Sequence, residues 1–260
     1  KAWQEYYQGT QDGCVPVVSG LTYDLASVSK VIGVGTLCLF YLQTNKLDLD
    51  EKLSTYYPAV ENKTLTLRQL LSHSSGIDPF IPNRDELDQE GLIAAINAIK
   101  VRDDKPFLYT DINFILLGLM LEKLSGLSLD KLFDSEVFQP FGMSETQFGP
   151  VGIAVPTVKG IPGGTVHDPK ARVLKEHTGS AGLFSTLKDL EIFVNHYLTD
   201  DFAKHLTKNI SQSKKERSVA WDLQGDWILH TGYTGTFVLI NIPAQRAAIF
   251  LSNRTYYKDE

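Results

Sequence analysis

Two stretches of this chain are apolar on every side rather than along one stripe, residues 31–42 and residues 112–121. A helix that is hydrophobic all round belongs inside a core. They therefore predict two buried helices, one from Ser27 to about Gln43 and one over residues 111–125, closed by Gly126. Thr66-Leu67-Arg68-Gln69 is a capping-box pattern and predicts a helix that ends near Gly76. Residues 86–100 have helical periodicity, weakened by Gly91. Ser128 predicts the cap of a helix to about Phe138, stopped by Pro140 and Gly142. Thr186-Leu187-Lys188-Asp189 predicts the cap of another, to about Leu198. Residues 47–57 read as a polar connection, and residues 149–169, rich in Gly, Pro and Val, as a long loop.

The last third changes to β-rich runs at residues 226–230, 237–242 and 247–251, with residues 243–246 turning between the last two. At the other end, residues 2–8 carry Trp3, Tyr6 and Tyr7, stop at Gly9, and predict a strand. Strands at both ends with helices between imply an α+β fold: an antiparallel β-sheet flanked by helices, with an inserted mostly helical subdomain. The sheet is expected to gather N-terminal and C-terminal strands. Residues 1–26 and 180–260 would form its subdomain, and residues 27–179 the helical part and the long loop, all in one unit.

Composition narrows the class. The 260 residues are 43% hydrophobic and 22% charged, enough for a substantial core. A net charge of -6 with no basic stripe argues against nucleic acid as a partner. The apolar runs are shorter than a bilayer span, so no transmembrane segment is expected. No signal peptide is visible, which favours the cytoplasm, although Lys1 is no initiator methionine and an upstream segment would leave the compartment open. Cys14 and Cys38 make neither a metal spacing nor a disulfide framework. Zinc-hydrolase His-Glu-x-x-His is missing, and His167, Asp168 and His177 read as hydrogen-bonding loop residues, so no metal is expected. Gly33-Val34-Gly35 follows a helix start rather than a strand, so it is no dinucleotide site, and no cofactor is expected. Nor is there a Gly-x-Ser-x-Gly elbow.

Candidate chemistry begins at Ser27-Val28-Ser29-Lys30. A serine hydroxyl is a poor nucleophile until something takes its proton. A lysine three residues later lies on the same helical face and can serve as that base. A helix N-terminus also favours negative charge developing nearby. The same four residues would equally suit a plain helix start, with Ser27 as cap and Lys30 solvated. Three more short motifs follow in order: Leu71-Ser72-His73-Ser74-Ser75-Gly76, Tyr109-Thr110-Asp111 and His230-Thr231-Gly232. Each has an ordinary reading as a cap, a packing aromatic or a strand end.

Taken together, the order and spacing resemble the penicillin-recognising serine hydrolase superfamily, on the side of class C β-lactamases, serine D,D-peptidases and family VIII esterases. There the pattern is Ser-x-x-Lys, Tyr-x-Asn, then Lys-Thr-Gly or His-Thr-Gly. Residues 25–30, 70–76, 109–122, 138–143, 179–186 and 230–235 all look like blocks of that family. The resemblance implies a small-molecule ester, amide or β-lactam substrate, including cell-wall-derived ones. It also implies terminal segments beyond this sequence: a helix and a first strand before residue 2, and a helix after the last strand.

By the same resemblance, Ser27 attacks a carbonyl and forms an acyl-enzyme, Lys30 helps to remove its proton, and Tyr109 is the second candidate base. The backbone N–H groups of Ser27 and Tyr233 would form the oxyanion hole, with Thr231 and Gly232 along the substrate. Lys30 as base needs a neutral amine, hence burial that lowers its pKa. Two departures matter. Asp111 replaces the usual Asn, and a carboxylate near Lys30 favours the protonated lysine; it would instead receive a substrate ammonium. His230 replaces Lys and is a poorer anchor for a β-lactam carboxylate. Both move the expected substrate from penicillins toward esters or D-amino-acid-type compounds. The competing expectation is a penicillin-binding sensor or non-hydrolytic binding module on the same scaffold.

Overall fold

A computed structural model describes residues 2–204 and 206–259. Seven strands and nine α-helical segments are found among them. In chain order the helical segments are α1 (Thr36–Gln43), α2 (Leu53–Tyr56), α3 (Leu67–Leu71), α4 (Gln89–Asn97), α5 (Asp111–Ser125), α6 (Leu129–Phe133), α7 (Gln139–Phe141), α8 (Pro169–Val173) and α9 (Leu187–Thr199). The strands are β1 (Thr22–Asp24), β2 (Gln147–Phe148), β3 (Leu183–Thr186), β4 (Asp222–Gln224), β5 (Trp227–Thr231), β6 (Phe237–Asn241) and β7 (Arg246–Phe250). They form two antiparallel sheets, β1-β3-β2 and β4-β5-β6-β7. The class is the expected one, mixed helix and antiparallel sheet.

The expected strand at residues 2–8 is not there, and the N-terminal chain adds nothing to the C-terminal sheet. A strand needs a ladder partner and a face to bury. Here Tyr6 is 84% exposed, and Trp3 is the only residue of the run packed on the core. The first strand is instead β1, which pairs with β3 in the smaller sheet. The hairpin β6–β7 matches the expected turn, with Asn241 opposite Arg246.

The helix from residue 26 to residue 43 is not uniform. It opens with a 3-10 turn over Ala26–Val28, widens to a π segment over Val31–Gly35, and becomes α1. It is 18 residues long and apolar enough to cross a membrane, which the expectation of a run too short did not foresee, yet 78% of it is buried inside the protein. Helix α5 has the expected ends: the Thr110 hydroxyl accepts from the Ile112 N–H, and Gly126 closes it at φ 73°. The capping box at Thr66 and Gln69 is complete in both directions. Pro140 does not stop its helix. It falls in α7, directly after a π segment in which the helical hydrogen-bond register changes, and the stop is Gly142 at φ 79°.

Residues 149–168 form the expected long loop, without regular structure. The loop is tied down at several points. The Val155 N–H donates to the Thr22 carbonyl, the Asn253 amide to the Pro156 carbonyl, and the Thr255 hydroxyl to the Thr157 carbonyl. It delivers α8 to the mouth of the principal cavity.

Candidate active site

The cavity measures about 910 Å³, and Ser27, Tyr109, Asp111, Thr231, Gly232 and Tyr233 all contribute to its wall. Six of the residues singled out from sequence thus meet in one place, although they come from three separated segments. Lys30 and His230 lie behind that wall, both buried.

Ser27 is in the 3-10 turn just after β1. Its predecessor Ala26 has φ 45°, a left-handed conformation that a side chain bearing a β-carbon adopts only at a cost. One turn on, Lys30 is fully buried, and its Nζ has three oxygen partners, each at 2.8 Å: Ser27 Oγ, Asp111 Oδ1 and the Ser180 carbonyl. An ammonium has three N–H donors, so this set uses all of them. The carbonyl is in reach because Gly179 has no side chain: a Cβ there would lie 2.1 Å from the Phe114 carbonyl of α5.

Asp111 opens α5 and uses both oxygens. Oδ1 pairs with Lys30 and Oδ2 with Lys170 of α8 at 2.9 Å. Asp168 caps α8 by accepting the Ala171 N–H at 2.7 Å, which fixes the direction from which Lys170 arrives. Burial alone would push the Lys30 ammonium toward neutrality. The adjacent Asp111 carboxylate outweighs it and holds the lysine above its ordinary range. Burial alone would likewise raise the Asp111 carboxyl, but the two lysines hold it well below the usual carboxylate range. The neutral amine that Lys30 would need as base is therefore not provided; the expected effect of the Asp111 carboxylate, which favours the protonated lysine, prevails. Nor is Asp111 a vacant acceptor for a substrate ammonium, because its charge is already shared by two lysines.

Tyr109 is 41% exposed, the most accessible of the three proposed catalytic side chains that the cavity and its wall contain. Its ring stacks on His73 with centroids 4.4 Å apart, and Lys30 Nζ lies 5.2 Å from the ring centre. His73 is buried and braces the segment that carries Tyr109. Its Nδ1 accepts from the Asn113 amide at 3.0 Å, and its carbonyl accepts the Leu108 N–H at 2.9 Å. The Ser75 hydroxyl donates to Asn113 Oδ1 at 2.7 Å. The Leu71–Gly76 motif is therefore a support for α5 and Tyr109.

His230 is buried, and its Nδ1–H donates to the Thr231 carbonyl at 3.0 Å. Burial first, and then the nearby Lys30 and Arg217 charges, hold it well below the ordinary histidine range, so it is neutral at pH 7. It does not line the cavity. Gly232 does, and it is an obligatory glycine: a Cβ would lie 2.2 Å from Thr236 Oγ1 and 2.5 Å from the Leu25 carbonyl. That close approach docks the end of β5 on the turn of Ser27.

Sequence reasoning missed Lys170, Ser180 and the bracing role of His73. Lys170 carries no local signal, since a lone lysine after a Gly/Pro loop looks solvated until the loop folds back. Gly179-Ser180 lay inside a recognised block without a role attached to it.

A family model described as Beta-lactamase matches residues 4–260. A protein of Escherichia coli (strain K12) named "Putative D-alanyl-D-alanine carboxypeptidase" is 24% identical, over 98% of this chain and 75% of that one. Among solved structures, EstCE1, described as a hydrolase with promiscuous acyltransferase activity, superimposes with a TM-score of 0.78 at 18% identity, covering 94% of this chain and 84% of that one. A Beta-Lactamase/D-Alanine Carboxypeptidase from Pseudomonas syringae gives 0.74 at 18% identity, covering 98% and 86%. At these identities the structural likeness establishes the fold.

Proposed function

The chain belongs to the Beta-lactamase family, and from that premise we propose that it is a serine hydrolase working through an acyl-enzyme on ester or amide carbonyls. The observation that carries the reading is the Lys30 ammonium, 2.8 Å from Ser27 Oγ and 2.8 Å from Asp111 Oδ1. A cation so held cannot take the serine proton. It stabilises the oxygen as negative charge develops there. That leaves Tyr109, the second candidate, as the base.

Ser27 Oγ gives its proton to Tyr109 and bonds to the substrate carbonyl carbon. The oxyanion is received by the backbone N–H groups of Ser27 and Tyr233, which share the cavity wall. The bond to the leaving group breaks, and the leaving oxygen or nitrogen takes the proton back from Tyr109. Water then repeats the sequence in reverse: it gives a proton to Tyr109, bonds to the acyl carbon, and releases Ser27, which is reprotonated. Thr231 and Gly232 line the path of the substrate, and neutral His230 supports the strand from behind. Because Asp111 has no free charge, uncharged esters fit this site better than D-amino-acid ammonium groups; a penicillin carboxylate would find no cation at His230 and would have to turn to Arg172 or Arg254 of the cavity wall. The chain acts as one catalytic unit, with the described residues of 2–26 and 180–259 on the sheet side and residues 27–179 on the helical side.

The firmly protonated Lys30 also favours a second reading, a sensor that acylates and stays acylated, since deacylation then depends on Tyr109 alone. Turnover separates the two. With p-nitrophenyl butyrate, an esterase releases nitrophenol far beyond one equivalent and a sensor stops at one; sustained release by Ser27→Ala would overturn both.

A further inference from the structure

The Asp24 carboxyl, at the end of β1, is 1% exposed and contacts no lysine or arginine among the described residues. It holds two backbone N–H groups instead. Oδ1 accepts from Ala26 at 2.7 Å and Oδ2 from His167 at 2.7 Å. The carbonyl of the same residue accepts the Thr234 hydroxyl at 2.9 Å. These three partners sit beside three parts of the cavity wall. Ala26 precedes Ser27 in its left-handed conformation, His167 precedes Asp168 and α8, and Thr234 follows Tyr233.

We propose that Asp24 is a positioning residue for the nucleophile, its carboxylate holding the Ser27 turn against the loop that brings in Lys170. The inference rests on the assignment of Ser27 as nucleophile made above. A carboxylate has lone pairs for both N–H donors, whereas a carboxylic acid must present a hydroxyl to one of them. The Ala26 turn is strained, so weakening its hydrogen bond to the Asp24 carboxylate lets Ser27 move. A displacement of about 1 Å is enough to cost roughly a hundredfold in rate.

Burial pushes the Asp24 carboxyl up to about 6, against the two N–H donors. The titratable groups facing it are His167 and Asp168 of the loop, with Asp259 beyond His167 at 3.3 Å. β3 presents Phe184, and the turn after β5 presents the uncharged Thr234. Deprotonation therefore has opposite effects on stability and on reactivity. An acid whose folded pKa is raised loses stabilisation as pH climbs from about 4 toward its folded value of about 6. Serine reactivity follows ionisation of the folded carboxyl and rises around that folded value of about 6. A purely structural carboxyl would change stability and leave the reactivity of Ser27 flat.

The test is the rate at which a fluorophosphonate modifies Ser27, with fluoride as the leaving group, followed between about pH 4.5 and 8. Peptide mapping locates the adduct, and thermal unfolding is recorded at each pH. The wild type is expected to show an acid limb centred near pH 6, opposite in sign to its stability change. Asp24→Asn, folded, should react at least about tenfold more slowly above pH 7 and lack that limb, while His167→Asn keeps it. Asp24→Asn reacting at the wild-type rate with the wild-type limb overturns the inference and leaves the nucleophile intact. An adduct elsewhere than Ser27 removes both together. Should Asp24→Asn not fold, the wild-type limb and Thr234→Val decide. Absence of the limb, or a Thr234→Val rate equal to wild type, counts against the proposal.

Discussion

Lys170 Nζ lies 2.9 Å from Asp111 Oδ2, on the carboxylate oxygen that Lys30 does not use. The chain after residue 148 thus reaches into the site and shares the Asp111 carboxylate with Lys30. An aspartate where the family pattern has asparagine would by itself cancel the charge of Lys30. Lys170 restores a net positive charge to the trio.

Lys170→Met should therefore reduce kcat/KM by about tenfold in the wild type and by much less in an Asp111→Asn background. The loss arises from tighter neutralisation of Lys30 by an unshared Asp111, an interaction of about 1–2 kcal/mol between neighbouring charged groups. A double-mutant cycle in kcat/KM measures the coupling. Equal losses in the two backgrounds would mean that Lys170 acts elsewhere.

Asp111→Asn should cost about 3 kcal/mol of stability at pH 7, because a fully buried lysine is left without its counter-charge. The sign with pH follows from both partners. Asp111 has a depressed folded pKa, so its contribution is present above about pH 4 and is lost as pH falls through the folded value. Lys30 has a raised one, so its contribution is present below about pH 10 and is lost above the folded value. Thermal unfolding of the two proteins should differ by a constant amount between pH 5 and pH 9, roughly the interval bounded by these values, and converge in acid.

Lys30 itself should not titrate across the pH range in which the enzyme works. The Nζ-adjacent carbon of Lys30, followed by NMR in protein carrying labelled lysine, should hold a protonated shift from about pH 6 to 10. A titration centred near neutrality would restore Lys30 as the general base and remove Tyr109 from that role.

Gly232→Ala should damage site and fold together. The new methyl meets the Leu25 carbonyl at 2.5 Å, and backbone cannot swing aside as a side chain can. We expect a loss of about 1–3 kcal/mol in thermal unfolding, typical of overpacking, with slower acylation of Ser27. An unchanged rate would separate the end of β5 from the nucleophile turn.

Local signals carried the helices well. The 15 residues of α5 are apolar nearly all round and end at a terminal Gly, so pattern alone set its extent, although the cap is Thr110 and not Asp111. The capping box at Thr66 and the hairpin at residues 237–250 were equally self-contained. The run at residues 2–8 has strand-like composition, but a strand exists only through a partner, which composition cannot report. The four motifs singled out Ser27, Lys30 and Tyr109, which the fold brings together. What they left out lies in tertiary approach. Lys170, the Ser180 carbonyl and the anchors of Asp24 each come from a segment that is an ordinary loop or strand end by sequence. The charge state of Lys30 was likewise set by a contact between residues 81 positions apart.

The most direct test of the account is the mass of the enzyme quenched during turnover of p-nitrophenyl butyrate, with the modified peptide sequenced. The account predicts one butyryl group on Ser27, formed at wild-type rate by the native protein, absent from Ser27→Ala and lost again as substrate is exhausted. A butyryl group on any other residue, or full turnover by Ser27→Ala with no adduct, would contradict it.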